Sequence, residues 1–278
     1  MNNPLDKYYR TKEIYVKLPT QGKWYTDKPN LTEQGEIGIL PMTVRDEMLL
    51  NIPDALYNGE SMFELFKSIA PDIQDPYEIC MPDVDVILLG SRAASYDNKL
   101  DVESKCPHCE TYNQHEIELG TILGQVNVIE ESEIEIGELT FVLKPNTLKT
   151  VNAGNIQTIE NQRLIEMMLR NQNQEESINQ ETFKRSLELS TATALAIIAD
   201  GIHEIKLPNG ESVTQLEYII DYLGKTDNKT VDLLKRAITK QNENGISNDF
   251  EFFCSNEECN KNYKAPVEFN PAFFFKKP

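Results

Sequence analysis

The sequence predicts an α+β chain in three parts: a helical N-terminal subdomain, a ribbon split between two distant stretches, and a large, mainly helical insertion between them. Two cysteine pairs, strand-like alternation around each pair, and helical periodicity elsewhere predict it. The pairs are Cys106-Pro107-His108-Cys109 and Cys254-Ser255-Asn256-Glu257-Glu258-Cys259. Two tight turns that face each other offer four soft ligands, which is the shell of a tetrahedral structural Zn²⁺. Cys106, Cys109, Cys254 and Cys259 are therefore the expected metal ligands of a split four-cysteine zinc ribbon.

The spacing makes residues 110 to 253 one excursion that returns to its start. Closing such a loop costs on the order of 4 kcal/mol by logarithmic scaling. A structural Zn²⁺ site in a peptide supplies about 10–16 kcal/mol, enough to close it. Two other readings compete. One is four reduced structural thiols. The other is a thioredoxin-like redox pair, which needs its CxxC to open a helix after a strand; here Thr111 to Leu119 alternates instead. His108, inside the first turn, is an alternative ligand in place of one thiolate.

Residues 1–30 read as an extended N-terminal arm, with Ile14, Tyr15, Val16 and Leu18 ahead of Pro19, Gly22 and the pair Trp24-Tyr25, whose rings need either the chain's own body or another chain to pack against. Residues 31–98 read as the helical subdomain. A short strand over 36–41 precedes a helix capped by Thr43, with Asp46 and Glu47 in its first turn. Ser61 and Glu64 predict a capping box for the next helix, and a further helix runs from about Pro82 to Ala94. Cys80, between Ile79 and Met81, reads as a small buried hydrophobe.

The split ribbon occupies 99–119 and 249–270. Leu100, Val102 and Ser104 alternate with charged neighbours before the first pair, and Phe250, Phe252, Tyr263, Ala265 and Val267 flank the second. Residues 120–248 form the insertion. A strand pair over 126–136 and 139–143 turns at Gly137, and a long helix from Thr147 to about Arg170 follows. An Asn/Gln/Glu loop over 171–180 leads to a second long helix over 183–199. Pro208-Asn209-Gly210 turns a hairpin over 201–213. Thr214 with Glu217, and Thr230, are the expected caps of two last helices. Residues 271–278 are an aromatic tail in which Phe273, Phe274 and Phe275 need cover, from the chain or from a partner.

Composition narrows the function. A net charge of −18 works against nucleic acid, whose binding depends on basic side chains releasing counterions. No apolar run reaches membrane-spanning length, and the polar start and paired cysteines predict a cytoplasmic chain with reduced thiols. Both ends are basic around an acidic middle: Lys7, Arg10, Lys12, Lys17, Lys23 and Lys28 at one, Lys261, Lys264, Lys276 and Lys277 at the other. They are expected either to pack on the chain's own acidic body or to reach an acidic neighbour.

Enzyme signatures are absent. No His-x-Glu precedes a Pro-Cys-x-x-Cys, and no phosphate loop or Gly-x-Ser-x-Gly elbow occurs. His115 and His203 read as strand-surface residues. Four thiolates leave zinc no open position, so the metal is expected to be structural and the chain not an enzyme.

Three stretches carry a family pattern: Leu18-Pro19-Thr20-Gln21-Gly22-Lys23-Trp24-Tyr25, Pro41-Met42-Thr43-Val44-Arg45-Asp46-Glu47 and Ile52-Pro53-Asp54-Ala55-Leu56-Tyr57-Asn58-Gly59. With the cysteine pair that follows, they resemble the baseplate hub assembly proteins of T-even-type contractile-tailed bacteriophages over roughly residues 14–119. The arm departs from the pattern at Thr20-Gln21, where the family favours Ser-Gly. The resemblance implies a non-catalytic tail baseplate or hub protein, structural component or assembly factor, made in the host bacterial cytoplasm. It implies partners among other phage baseplate, hub or tail proteins, and Trp24, Tyr25 and Phe273–Phe275 are the side chains expected to bury into them. An assembly chaperone missing from the mature virion and a zinc-ribbon regulatory protein are the alternatives.

Overall fold

The computed structural model describes residues 4–5, 8–50, 59–170, 176–247 and 249–267, with side chains outside 168–182. Helix and sheet are mixed along the chain, as the α+β reading expects, and two hydrophobic cores organise them.

In the first core, β1 (Ile14–Lys17) pairs antiparallel with β2 (Glu36–Ile39), Ile14 opposite Ile39. Val16, Ile37 and Ile39 are buried against α3 (Met81–Ser95). That helix is apolar nearly all round, with Val84, Val86, Ile87, Leu88 and Leu89 buried, as a central helix must be. Gly90 allows the close approach of β1: a Cβ there would meet Val16 Cγ1 at 2.7 Å. Before α3, α1 (Val44–Leu50) opens with a reciprocal cap, in which Asp46 Oδ2 accepts from Thr43 N at 2.7 Å and Thr43 Oγ1 from Asp46 N at 3.3 Å. The expected box at Ser61 does not form. α2 (Glu60–Ile69) starts at left-handed Gly59, so Ser61 lies inside the helix and donates to Leu49 O at 2.9 Å.

Residues 14–25 are part of this core rather than a free arm. Leu18 and Tyr25 are buried, and Trp24 packs against the same cluster. Buried Asp83 of α3 holds the segment: it accepts from Thr20 N at 3.0 Å, from Tyr25 OH at 2.8 Å and from the Thr20 hydroxyl. Burial raises its carboxyl to about 6 even though those hydrogen bonds pull it down. The expectation that Trp24 and Tyr25 bury into a partner is thus corrected, because the chain supplies apolar cover for both and the acceptor for the Tyr25 hydroxyl. Three basic residues here are also used internally: Arg10 pairs with Asp46, Lys12 with Asp72 and Lys23 with Glu130. Phe273–Phe275 lie outside the described residues.

From α3 the chain enters the hairpin β3 (Lys99–Lys105) and β4 (Tyr112–Glu118), then the short α4 (Leu119–Leu123). Residues 126–131 are not the strand expected of them. Asn127 N donates to Gly245 O and Ile129 N to Pro19 O, both at 2.9 Å, so this backbone bonds to remote loops instead of a ladder.

The second core lies under one sheet. β5 (Ser132–Ile136), β6 (Leu139–Leu143), β7 (Ile202–Lys206) and β8 (Ser212–Val213) pair in that order, all antiparallel. Between β6 and β7 run α5 (Leu148–Arg170) and α6 (Glu176–Asp200). α5 passes Gly154 without a break, and α6 begins earlier than residue 183. Phe141, Leu143, Ile198, Ile202 and Ile205 pack there with α7 (Leu216–Lys225) and α8 (Asn228–Glu243). Two caps differ from expectation. Gln215, not Thr214, stands at the start of α7, and Asp227 caps α8 by accepting from Thr230 N at 3.0 Å and Thr230 Oγ1 at 2.9 Å.

A polar joint links the cores. Asn146 exchanges two 2.8 Å hydrogen bonds with Asn242 and donates to Ile197 O at 2.6 Å, while Asp200 accepts from Thr147 N at 2.8 Å. The chain then leaves α8 for β9 (Asp249–Phe253) and β10 (Asn262–Pro266), back at the first core.

Candidate metal centre

Each cysteine pair sits where an antiparallel ladder ends in a turn. In the first, Cys106 N donates to Thr111 O at 2.9 Å, and Glu110 N to Cys106 O at 2.9 Å, with Glu110 left-handed at φ 61°. In the second, Cys254 N donates to Lys261 O at 3.0 Å, and Asn260 N to Asn256 O at 2.9 Å, with Asn260 at φ 45°. The two turns are one design at two lengths. Cys254 ends its strand as Cys106 does, and Asn256 takes the carbonyl role of Cys106. The added Ser255 and Asn256 let a CxxxxC spacing reach the same geometry as CxxC.

The four Sγ atoms of Cys106, Cys109, Cys254 and Cys259 lie within 4.8 Å of one another. Contacts run across the turns, Cys106 to Cys259 at 3.9 Å and Cys109 to Cys254 at 3.5 Å. A disulfide needs about 2.05 Å, so all four are free thiols. A tetrahedron with Zn–S bonds near 2.3 Å has edges of about 3.8 Å, and the donor set fits it. His108 is exposed and is not in the cluster.

The electrostatics fit a cation too. Hydrogen bonds with Thr111 bring the Cys109 thiol down to about 6, whereas burial pushes Cys254 up and Cys259 up to about 12. Crowded thiols cannot all ionise beside one another without a compensating charge, and a dication supplies it.

A polar cluster under the thiols joins the two hairpins. Asn113 Oδ1 accepts from Ser255 N at 2.8 Å and Ser255 Oγ at 2.7 Å, and Asn113 Nδ2 donates to the Tyr263 hydroxyl at 3.1 Å. That hydroxyl also lies 2.6 Å from Ser104 Oγ and 3.0 Å from His115 Nε2. His115 stacks on Phe252 with centroids 4.3 Å apart, and burial lowers its pKa. It is therefore an inter-hairpin contact rather than the strand-surface residue expected. The signal was present in the alternation: Ser104, Asn113 and His115 are polar at inward positions.

Among the described residues no helix is long and apolar enough to cross a membrane. Nothing matches the chain among curated proteins or solved structures. A family profile described as T4 bacteriophage base plate protein matches residues 11–276, both cysteine pairs included. With nearly the whole chain spanned, the protein belongs to the T4 bacteriophage base plate protein family.

Proposed function

We propose that this baseplate-family protein is a non-enzymatic component of the tail baseplate hub, stapled by one structural Zn²⁺ on Cys106, Cys109, Cys254 and Cys259. The observation that carries the reading is the meeting of four thiols from two turns 145 residues apart in sequence, Cys109 to Cys254 at 3.5 Å. When bound, the ion neutralises the thiolates and cross-links the hairpins. The chain's own residues orient them, through Asn113 on Ser255 and Tyr263 on Ser104. Four protein ligands complete the tetrahedron and leave no place for water or substrate, which supports a structural rather than catalytic role. Its neighbours are other phage baseplate or tail proteins, met in the host bacterial cytoplasm during assembly, and Phe273–Phe275 supply part of that contact.

The test joins metal content to location. One zinc per purified chain, with the protein present in isolated tails, is the expected result. Zinc with the protein missing from tails makes it an assembly chaperone. Absence of zinc from protein purified without chelator overturns the metal staple.

A further inference from the structure

β5 is an open edge of the sheet over the second core, with β6 on one side of it and no strand on the other. The two-residue turn Gly137-Glu138 makes Ile136 and Leu139 the hydrogen-bonded pair that closes the hairpin. By alternation Ile134 and Ser132 also bond to β6, so Glu133 and Glu135 turn their N–H and C=O groups outward. Among the described residues none of these groups has a backbone partner. The strand is nevertheless fixed at both ends. Glu130 pairs with Lys23 and its carbonyl accepts from Gln241 Nε2 at 2.7 Å, while the turn holds the far end. A segment docking here meets an edge that is already ordered, which lowers the cost of binding.

Open edges are ordinarily blunted by proline, a bulge, an inward-pointing charge or charged side chains, Lys above all. β5 has only charge, and of one sign: it reads Ser-Glu-Ile-Glu-Ile, and the bulge of this sheet lies on the β6–β7 ladder. Its two faces specify different chemistry. Ile134 and Ile136 lie at the rim of the second core and are only partly buried, because no strand beyond them completes the apolar layer. On the other face Glu133 and Glu135 are exposed, as is Glu131 just before the strand. Lys206 reaches Glu133 at 2.6 Å and Glu204 at 3.8 Å, and among the described residues Glu131 and Glu135 have no ion pair. The face therefore stays negative after its own pairing is counted. The β5 of a second copy would set Glu against Glu across the new ladder, between chains that each carry −18. The complement fits instead: apolar side chains over Ile134 and Ile136, and Lys or Arg opposite Glu133 and Glu135. We infer that β5 is a docking edge for a basic strand of a partner protein, an extended segment that alternates Lys or Arg with Val, Ile or Leu and adds to the sheet. The contact is separate from any made by Phe273–Phe275 and independent of the metal.

The probe is a short labelled peptide alternating Lys with Val, added to the full-length protein. Binding is expected in fluorescence anisotropy, with slowed exchange of the Glu133 and Glu135 amides in NMR spectra. The same peptide methylated on its lysine backbone nitrogens keeps its charge but loses the ladder, and is expected to bind at least about tenfold more weakly. Glu131→Lys with Glu135→Lys, at exposed side chains that leave the β6 ladder intact, is expected to abolish binding of the unmethylated peptide. Absence of binding, equal binding of the methylated peptide, binding that survives the charge reversal, or protection at another strand overturns the inference. Slow exchange of both amides in the free protein overturns it as well: independent of concentration, it means that the chain covers its own edge, and rising with concentration, that a second copy does.

Discussion

The two cores of this protein bury similar side chains by opposite routes. The second takes Phe141, Leu143, Ile198, Ile202, Ile205, Ile219, Leu223, Leu234 and Ile238 from one continuous stretch, closed by apolar contact and the β6–β7 ladder. The first draws Val16, Leu18 and Ile39 from one end of the chain and Ile246, Phe252, Tyr263 and Val267 from the other. Contacts that distant in sequence must first overcome loop-closure entropy. The thiol cluster and the polar group around Tyr263 stand where that closure is made. A core assembled from neighbours needs hydrophobic packing, whereas a core assembled from chain ends also needs a directional fastener.

Removal of the proposed Zn²⁺ should separate the cores most sharply. Structural zinc is worth on the order of 10 kcal/mol in small peptides, so a strong chelator, or Cys254→Ser, should release β9 and β10 from β3 and β4. Hydrogen exchange is the measurement: protection falls in those four strands and persists in β5 to β7. Equal loss in both sets would mean that the cores unfold as one unit.

The converse perturbation is Phe141→Ala, which empties a fully buried site in the second core. It should cost about 3–5 kcal/mol in denaturant unfolding and leave zinc stoichiometry at the wild-type value. Zinc lost along with stability would break the distinction.

Asp83 is next. Asp83→Ala leaves Thr20 N and the Tyr25 hydroxyl buried without their acceptor, at about 1–3 kcal/mol for each. Its pH dependence has a definite sign. The folded carboxyl sits at about 6 against 3.8, so folding favours the protonated form. That contribution is complete below about 4 and is lost as pH rises through about 6. Asp83→Asn should remove this fall from the stability-against-pH curve between those limits. A slope unchanged by the substitution would assign it to another group.

The smallest effect is expected at Tyr263→Phe, which removes the hydroxyl shared by Ser104, Asn113 and His115. A loss of about 1–2 kcal/mol is expected, with metal still bound, because the thiols are untouched. Loss of zinc in this variant would show that the polar group, not the thiol set, fastens the ribbon.

What could be read from residues alone was local. The two hairpins followed from alternation around the cysteines, and the long helices from apolar spacing, because both periods are properties of a short stretch. That the four cysteines would meet was legible because soft thiols in pairs on tight turns suit one shared site. Caps were less legible. Ser61 and Thr230 have the right chemistry one or two positions from where the helix begins, and neighbouring Gly59 and Asp227 decided the boundary.

Tertiary structure decided the rest. Trp24 and Tyr25 have no periodic pattern, so only the position of Asp83 and α3 could show that they turn inward. The hairpins at 132–143 and 202–213 become one sheet because the α5–α6 excursion returns β7 beside β6, a pairing between stretches about 60 residues apart that no local period encodes. Sequence determines which faces are apolar; the path of the whole chain determines what covers them.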